Sequence, residues 1–489
     1  MLVDRAAVEE IGHPVIEGKW VLRIKRDSEG HVVKHKARWV AKGYMQTYGV
    51  DFVETFAPTV SLKTVRVILS LAASKGWMTK HLDIDNAYLQ GVLQDEIYME
   101  QPACFEVSSS EVCKLKKSLY GLKQAGRVWN ATFTDVLLSL GYIRTQADPC
   151  LYVRLLEPMI NIIFFWVDDI ILVHDDRAVE EWFVTELSKR FALKDLGEVS
   201  WFLGLRITRD KDKGLISLDQ AQYVEKVLKK CKFDSCRSSH IPAQVGAVLR
   251  SVTEDGEKVT KWSFAYQQAI GSIMYAMTGT RPDLASAVSN VSRFANAPGV
   301  QHYQAVETIL RYLRGTSDLQ LVLGTGGNDT TLHGFCDATW ASDSDTRKST
   351  TGYIFFLGNS PISWCSQRQH TVALSATEAE YMAISAAARE CVWLRSLLSD
   401  LSLRCSGPTV VRCDNRGAVC LSENPVKHRA NKHIDVRHHY VRDLVMQGQL
   451  AVVWTSSEDM VADVLTKALP RSRYEKWKGV LLGYGIPHI

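Results

Sequence analysis

The sequence predicts an α+β fold with more than one domain. A chain of 489 residues is longer than one hydrophobic core usually serves, which favours two or three domains. Short strand-like runs and amphipathic helical segments alternate along it without an internal repeat. Its composition, 46% hydrophobic and 23% charged residues, is typical of a globular protein.

A basic hairpin is predicted near the N-terminus. Trp20–Lys25 and Lys36–Ala41 have strand-like patterns on either side of Gly30. From Lys19 to Lys42 the chain has eight basic residues and two acidic ones. Such an excess is what phosphate binding requires, although a solvated, lysine-rich face explains it equally well.

A helix and several strands are predicted next. Ser61 can cap a helix that ends at Gly76, and Met78–Ile84 has the pattern of a short strand. The elements predicted after these are two buried strands within Ile160–Val173, a strand at Trp201–Ile207 and a helix from about Asp219 to Lys230.

Two adjacent aspartates, Asp168 and Asp169, lie where the two buried strands are predicted to meet. Paired carboxylates there are costly unless something specific solvates them, and Asp-Asp lacks the residue types that two-residue turns prefer. Magnesium would stabilise the pair. Asp83, on the face of its strand opposite the apolar neighbours, is the candidate for a third ligand. Three carboxylates around two ions suit nucleotidyl transfer, but this spacing alone does not separate a polymerase from other two-metal enzymes.

The second half is predicted to be a helical segment followed by a strand–helix domain. Phe264–Arg314 has the pattern of three helices, and Gly324–Thr331 is a linker by composition. The elements predicted beyond the linker are strands Leu332–Cys336 and Tyr353–Leu357, helix Glu378–Leu401, strand Val410–Cys413 and a final helix near Met460–Leu469.

Four acidic residues of this second domain are candidate metal ligands. Asp337 and Asp414 each follow a predicted strand, Glu378 opens a helix and Asp463 lies in the last helix. Taken singly, each is better explained as a turn, capping or helix-start residue.

Ordered segments of the first half resemble the motifs of copia-type reverse transcriptases. These segments are KHKARWVAKGYMQTYGVDFVETFAPTV (34–60), LDIDNAYLQG (82–91), SLYGLKQAGRVWN (118–130), FWVDDIIL (165–172) and LKDLGEVSWFLGLRI (193–207). The resemblance implies that Asp83, Asp168 and Asp169 ligate two magnesium ions. Trp166 stands where the family usually has tyrosine and Gly126 where it usually has proline. These departures remove no ligand but put fidelity and primer positioning in question.

The same resemblance implies residues that bind the incoming nucleotide. Lys36 and Arg38 would hold its triphosphate, unless they are only an exposed basic face. Asn86 would contact the triphosphate through its backbone. Tyr88 would lie under the sugar and exclude a 2′-hydroxyl; otherwise it is a buried aromatic residue.

Two further contacts with the substrate are implied. Gln124 would contact the nucleotide or the template, against the alternative of a plain surface glutamine. Phe202, Leu203 and Gly204 would form the primer grip, although a core strand explains Phe202 and Leu203 equally well.

Segments of the second half resemble the copia-type RNase H domain. They include GFCDATWAS (334–342), LSATEAEYMA (374–383), RCDNRGAV (412–419) and VADVLTK (461–467). This resemblance implies that Asp337, Glu378, Asp414 and Asp463 hold a second pair of magnesium ions, and Glu380 is the alternative to Glu378.

The resemblance predicts how the chain is divided and what it binds. Residues 1–242 would form the fingers and palm, the palm a mixed-sheet two-metal polymerase fold, 243–325 a helical thumb or connection, and 326–489 an α/β RNase H-like domain. The expected partners are an RNA template, a DNA primer, an RNA–DNA hybrid, deoxynucleoside triphosphates and other pieces of the same polyprotein, such as an integrase. Each active site would use two Mg²⁺ ions, with Mn²⁺ as a substitute.

Cysteine usage and the N-terminus predict the compartment. Eleven cysteines without CxxC pairs favour a reducing environment, and no secretory core or membrane span is evident. We expect a cytoplasmic location in a virus-like particle, or a nuclear one. Two alternatives to an active enzyme stay open at this stage. One is a catalytically silent remnant that binds nucleic acid, suggested by the abrupt start near the fingers, and the other is a different two-metal phosphotransferase.

Overall fold

The computed structural model describes residues 1–26, 31–156, 159–252, 262–324, 327–423 and 432–485. These residues form two compact units. Unit 1 comprises Met1–Val60 and Thr79–Glu198, and unit 2 comprises Ser61–Met78 and Val199–Ile489. The predicted domain boundaries at 242 and 325 stay predictions.

The described strands are numbered here in chain order. They are β1 (Leu2–Asp4), β2 (Val15–Ile16), β3 (Gly18–Arg26), β4 (Val32–Ala41), β5 (Met78–Ile84), β6 (Tyr98–Met99), β7 (Glu111–Lys114), β8 (Ile143–Arg144), β9 (Leu151–Leu156), β10 (Met159–Trp166), β11 (Asp169–His174), β12 (Leu193–Gly197), β13 (Trp201–Phe202), β14 (Leu205–Asp210), β15 (Leu215–Asp219), β16 (Leu321–Leu323), β17 (Leu332–Thr339), β18 (Thr350–Leu357), β19 (Ser360–Arg368), β20 (Thr409–Cys413) and β21 (Leu450–Trp454).

The described α-helices are numbered in the same way. They are α1 (Arg5–Glu10), α2 (Leu62–Lys75), α3 (Ala125–Ser139), α4 (Arg177–Ser188), α5 (Ala221–Cys231), α6 (Tyr266–Gly279), α7 (Ala285–Ser292), α8 (Val300–Arg314), α9 (Ala376–Asp400), α10 (Arg416–Glu423), α11 (Lys432–Met446) and α12 (Arg471–Leu481). Short 3-10 helices lie at Gly43–Met45, Ala87–Gln90, Pro282–Leu284 and Val461–Leu465. None of the described helices combines the length and the apolar character that crossing a bilayer requires.

Unit 1 is organised around a six-stranded sheet with the order β12-β5-β11-β10-β9-β8. The strands β10 and β11 form a tight hairpin, and β5 lies beside β11. Helix α3 covers this sheet: Phe133 meets Phe165 of β10 edge to face, with ring centroids 4.8 Å apart. A four-stranded sheet, β1-β7-β6-β2, and the separate β3–β4 hairpin complete the unit.

Unit 2 contains a five-stranded mixed sheet with the order β19-β18-β17-β20-β21. The strands β17, β18 and β19 are antiparallel neighbours, whereas β17, β20 and β21 pair in parallel. The long helix α9 packs on this sheet through buried small and apolar residues such as Ala383 and Ala387. A second sheet, β13-β14-β15-β16, and helices α5 to α8 also belong to unit 2.

Helix α2 belongs to unit 2 although it precedes most of unit 1 in sequence. Ser61 caps it, and Gly76 ends it with a φ of 71°, as predicted. The buried Arg66 donates to the carbonyl oxygens of Ile362, Thr278 and Gly279 at 2.8, 2.8 and 3.0 Å. The ammonium group of Lys63 lies 2.8 Å from both carboxylate oxygens of Glu390, on α9.

The α+β fold class is confirmed, and so are the basic hairpin, α2, β5 and the three helices between Phe264 and Arg314. Two expectations were wrong, and several strands were not predicted. Trp201–Ile207 is not one strand, because the turn at Leu203-Gly204 divides it. Strands β15, β19 and β21 were missed. The final helix near Met460–Leu469 is a short 3-10 helix followed by the separate helix α12.

Candidate active sites

The β10–β11 hairpin carries Asp168 and Asp169 at its tip in unit 1. Trp166 pairs with Asp169, so the two-residue turn is Val167-Asp168 rather than the Asp-Asp turn considered from sequence. Val167 has a φ of 57°, which is strained for a β-branched residue, and its carbonyl accepts a 2.6 Å hydrogen bond from Trp129 Nε1. The neighbouring strand β5 brings Asp83 alongside, and the Ile84 N–H donates to the carbonyl oxygen of Asp168 at 3.0 Å.

The three aspartates form one electrostatic cluster. Burial, and then the charge of Asp169, raises the pKa of Asp83 above its usual value. Burial also raises the pKa of Asp168, as do Asp169 and Asp83, while Arg38 opposes the shift. Nε2 of His81 lies 3.1 Å from Oδ1 of Asp169. Carboxylates that raise one another's pKa in this way are hard oxygen ligands, so the donor set suits magnesium.

Arg38 and Tyr88 lie near these acids, together with a residue that the sequence reasoning missed. The guanidinium of Arg38 lies 4.8 Å from the ring centroid of Tyr120. Tyr88 meets Tyr120 edge to face at 5.0 Å, and burial followed by the charge of Asp168 raises the pKa of Tyr88. Tyr120 lies within the SLYGLKQ motif, so its position in that motif was the available signal.

Lys36 and Asn86 have positions compatible with their predicted roles. Lys36 precedes Arg38 by two residues in β4, which puts both side chains on one face of the hairpin. Asn86 follows β5, is exposed, and adopts a left-handed backbone conformation with a φ of 55°. Their contacts with a nucleotide stay predictions.

Gln124 was expected to contact the nucleotide or the template, or else to be a plain surface glutamine. The structure supports neither, because its side-chain amide is buried. Its side chain is buried, and its Nε2 donates to the Asp51 carbonyl and to Asp95 Oδ2 at 2.8 and 3.0 Å. Its Oε1 accepts from Gln46 Nε2 at 3.0 Å. These bonds make Gln124 a structural residue that ties the segment before α3 together.

The predicted primer-grip residues lie in unit 2. Phe202 is buried, which agrees with the core-strand alternative for its side chain. Leu203 and Gly204 form the two-residue turn between β13 and β14, with φ values of 49° and 69°. The Tyr275 hydroxyl donates to the Leu203 carbonyl, and a Cβ added at Gly204 would lie 2.9 Å from that hydroxyl.

The second acidic cluster lies on the five-stranded sheet of unit 2. The parallel register of β17 and β20 pairs Phe335 with Arg412, so Asp337 and Asp414 follow at equivalent points of adjacent strands. Asp463, in the 3-10 helix Val461–Leu465, and Asp337 are both almost fully buried. Burial raises the pKa of Asp337 to about 6, and the charges of Asp463 and Asp414 also raise it, while Lys467 opposes the shift.

The structure brings Glu380, not Glu378, into this cluster. Glu378 lies in the first turn of α9, where its Oε2 accepts a 2.8 Å hydrogen bond from the Leu374 N–H. Glu380 is buried, and its pKa is raised far above the usual value by burial and then by the charge of Asp337. The choice of Glu378 is therefore corrected. The S-x-x-E pattern from Ser375 already indicated a capping role for it.

Several neutral or cationic groups complete the second cluster. The thiol of Cys413 lies 3.7 Å from Glu380 Oε2, and potential ligand atoms of Glu380, Cys413 and Asp414 lie within 4.8 Å of one another. The Thr466 hydroxyl donates to Asp337 Oδ2. Lys467 Nζ lies 2.5 Å from Asp463 Oδ1 and 3.9 Å from Asp337 Oδ2. The carboxylates of this cluster are again ligands that hard cations prefer.

Comparisons with known proteins identify the family. The family model for reverse transcriptase (RNA-dependent DNA polymerase) matches residues 8–245. A retrovirus-related Pol polyprotein from transposon TNT 1-94 of Nicotiana tabacum is 42% identical over 476 residues, which are 96% of this chain and 35% of that protein. This chain belongs to the copia-type retrotransposon Pol polyproteins. A putative transposon Ty5-1 protein of Saccharomyces cerevisiae is 30% identical over 62% of this chain and 98% of that protein.

The copia-type relationship includes the second acidic cluster, because the tobacco alignment extends over nearly the whole chain. This Pol-family chain spans about a third of the length of the plant Pol polyproteins that it matches. Among solved structures, a foamy viral protease-reverse transcriptase in complex with dsDNA is 13% identical, with 93% of this chain and 79% of that chain covered and a TM-score of 0.49.

Proposed function

We propose that this chain is an RNA-directed DNA polymerase with RNase H activity. One observation carries the proposal: acids far apart in sequence lie side by side on neighbouring strands in two places. Asp83 on β5 lies beside the hairpin turn that contains Asp168, and Asp337 and Asp414 lie at equivalent points of β17 and β20. Two such clusters suit two phosphoryl-transfer reactions. A polymerase that copies RNA leaves an RNA–DNA hybrid, and an RNase H removes its RNA strand.

In the polymerase site, Asp83, Asp168 and Asp169 would hold two Mg²⁺ ions. Bound there, the ions would activate the primer hydroxyl and neutralise charge on the triphosphate. Arg38, whose charge lowers the pKa of Asp168, would pair with the triphosphate of a deoxynucleotide, and so would Lys36 on the same face of β4. Tyr88, held by Tyr120 near Asp168, is the candidate for contact with the sugar.

In the RNase H site, Asp337, Glu380, Asp414 and Asp463 would hold the ions that activate water. The raised pKa of Asp337 and of Glu380 supports this assignment, since acids this costly to ionise gain most from nearby cations. The substrate would be the hybrid, held through phosphates and groove shape. The chain would act together with other pieces of the polyprotein. It would do so in a virus-like particle in the cytoplasm, or in the nucleus.

Two assays test the proposal with one protein. We expect the full chain to extend a DNA primer on an RNA template and to cleave the RNA of a hybrid, both dependent on Mg²⁺. Asp168→Asn should abolish extension and spare cleavage, whereas Asp414→Asn should do the reverse. A folded wild-type chain that binds hybrid but shows neither activity would support the silent remnant instead. Loss of both activities in either variant would contradict separate active sites.

A further inference from the structure

The second acidic cluster contains a lysine for which the proposed chemistry gives no role. Lys467 follows Asp463 by four residues, and its ammonium group lies between Asp463 Oδ1 at 2.5 Å and Asp337 Oδ2 at 3.9 Å. The side chains of these acids are 1% and 3% exposed, whereas that of Lys467 is 42% exposed. A surface lysine paired at i,i+4 contributes little, but this lysine faces two acids that water hardly reaches.

The oxygen atoms of Asp463 are both engaged by cations. Arg473 Nη2 lies 2.5 Å from Oδ2, and Lys467 Nζ lies 2.5 Å from Oδ1. The Thr466 hydroxyl donates to Asp337 Oδ2. Among the cationic side chains of the described residues, Lys467 has ion-pair contacts with both acids. A divalent ion that uses Oδ1 of Asp463 must therefore displace the ammonium group, and the exposed stem of Lys467 gives that group a way out to solvent.

We propose that Lys467 is a built-in counter-ion of the RNase H carboxylates, which neutralises Asp337 and Asp463 in the metal-free protein and competes with the divalent cation for Asp463. This inference rests on the proposed function of that cluster. It makes Lys467 a positioning residue: the ammonium group keeps two buried acids together without metal, because unpaired buried charges are costly. By competing for Asp463, the ammonium group also raises the concentration of divalent cation needed to occupy the site.

The test uses the full chain with Asp83→Asn and Asp168→Asn, so that the polymerase carboxylates bind little metal. Lys467→Met removes the charge and keeps the length of the side chain. Lys467→Arg keeps the charge. Lys213→Met removes the exposed lysine that pairs with Asp210 at 3.2 Å and serves as the control.

The first measurement is the melting temperature in EDTA. We expect Lys467→Met to lower it by about 2 °C or more, since two almost fully buried carboxylates lose a cation that is itself partly screened by solvent. Lys467→Arg and Lys213→Met should each stay near the parent. An unchanged melting temperature for Lys467→Met would overturn the counter-ion role.

The second measurement is Mn²⁺ affinity, followed by the electron paramagnetic resonance of the free ion. We expect Lys467→Met to bind Mn²⁺ about tenfold more tightly than the parent, because the competing ammonium is gone. A lysine that only oriented the ligands would give the opposite, a loss of roughly 10- to 100-fold. Equal or weaker binding would overturn the competition. If neither the parent nor any variant binds Mn²⁺, both the competition and the proposed metal centre are refuted. The melting temperature in EDTA then still decides whether Lys467 is a counter-ion.

Discussion

Burial of Asp337 without metal should cost stability at neutral pH, and Asp337→Asn should recover it. The pKa of Asp337 is raised from 3.8 to about 6 in the folded chain, a shift of about two pKa units. At 1.36 kcal/mol per unit, an ionised Asp337 destabilises the metal-free fold by about 3 kcal/mol. Asparagine has the same shape and can still accept from the Thr466 hydroxyl, so most of this free energy should be regained.

The pH dependence follows from the sign of the shift. Below pH 3.8 Asp337 is protonated in both the folded and the unfolded chain, so its burial costs no free energy of unfolding. The cost grows as pH rises above 3.8 and is complete once pH has passed the folded pKa near 6. The gain from Asp337→Asn should therefore be about 1 kcal/mol at pH 4.5 and about 3 kcal/mol at pH 7.5.

Calorimetric melting in EDTA measures the effect. A gain of about 3 kcal/mol should raise the melting temperature by roughly 3 to 5 °C at pH 7.5. Asp318→Asn, at an exposed aspartate of unit 2, is the control and should change nothing. A variant that melts with the wild type at pH 7.5, or whose gain is the same at both pH values, would refute the reasoning.

Three other substitutions test assignments made above. Glu380→Gln should abolish hybrid cleavage, whereas Glu378→Gln should leave the cleavage rate unchanged, because the amide can still cap α9; equal loss in both would contradict the correction. Gln124→Ala should lower the free energy of unfolding by about 2 kcal/mol by leaving buried partners unpaired, and a specific rise in the nucleotide KM without a stability loss would show that Gln124 contacts substrate after all. Gly204→Ala should destabilise by about 2 kcal/mol, since a Cβ meets the Tyr275 hydroxyl at a positive φ. Gly246 also has a positive φ, but a Cβ added there would meet nothing within 4 Å. Gly246→Ala should therefore lose only the free energy that comes from backbone strain, and equal melting temperatures of the two variants would refute the contribution of Tyr275.

The acids on strands were predictable because period-2 alternation and chain order fix where strand residues point. Asp83, Asp337 and Asp414 lie on or just after strands whose apolar neighbours mark the core face. Glu378 and Glu380 were harder, because two residues on a helix differ by about 200° and one motif contains both. The buried stripe that includes Ala383 and Ala387 also includes Glu380, which was a usable signal.

Contacts between distant segments could not be derived from local pattern. The pairing of Arg38 with Tyr120, the hydrogen bond between His81 and Asp169, and the burial of Gln124 depend on tertiary packing. The edge strand β19 was also missed, since its sequence contains polar residues and a proline at its second position. The edge strand β21 is an apolar run, LAVVW, and was a usable signal that was overlooked.

Helix α2 limits how this protein can be dissected. A fragment that begins at residue 199 or later would lack Lys63, leaving the buried Glu390 without its cation, and would lack Arg66, leaving the carbonyls of Ile362 and Thr278 without their donor. Unit 2 is thus not a detachable module of contiguous sequence, and a stable version of it would need α2 supplied through a short linker. Residues 79–198 of unit 1 are therefore inserted into the sequence of unit 2, between Met78 and Val199.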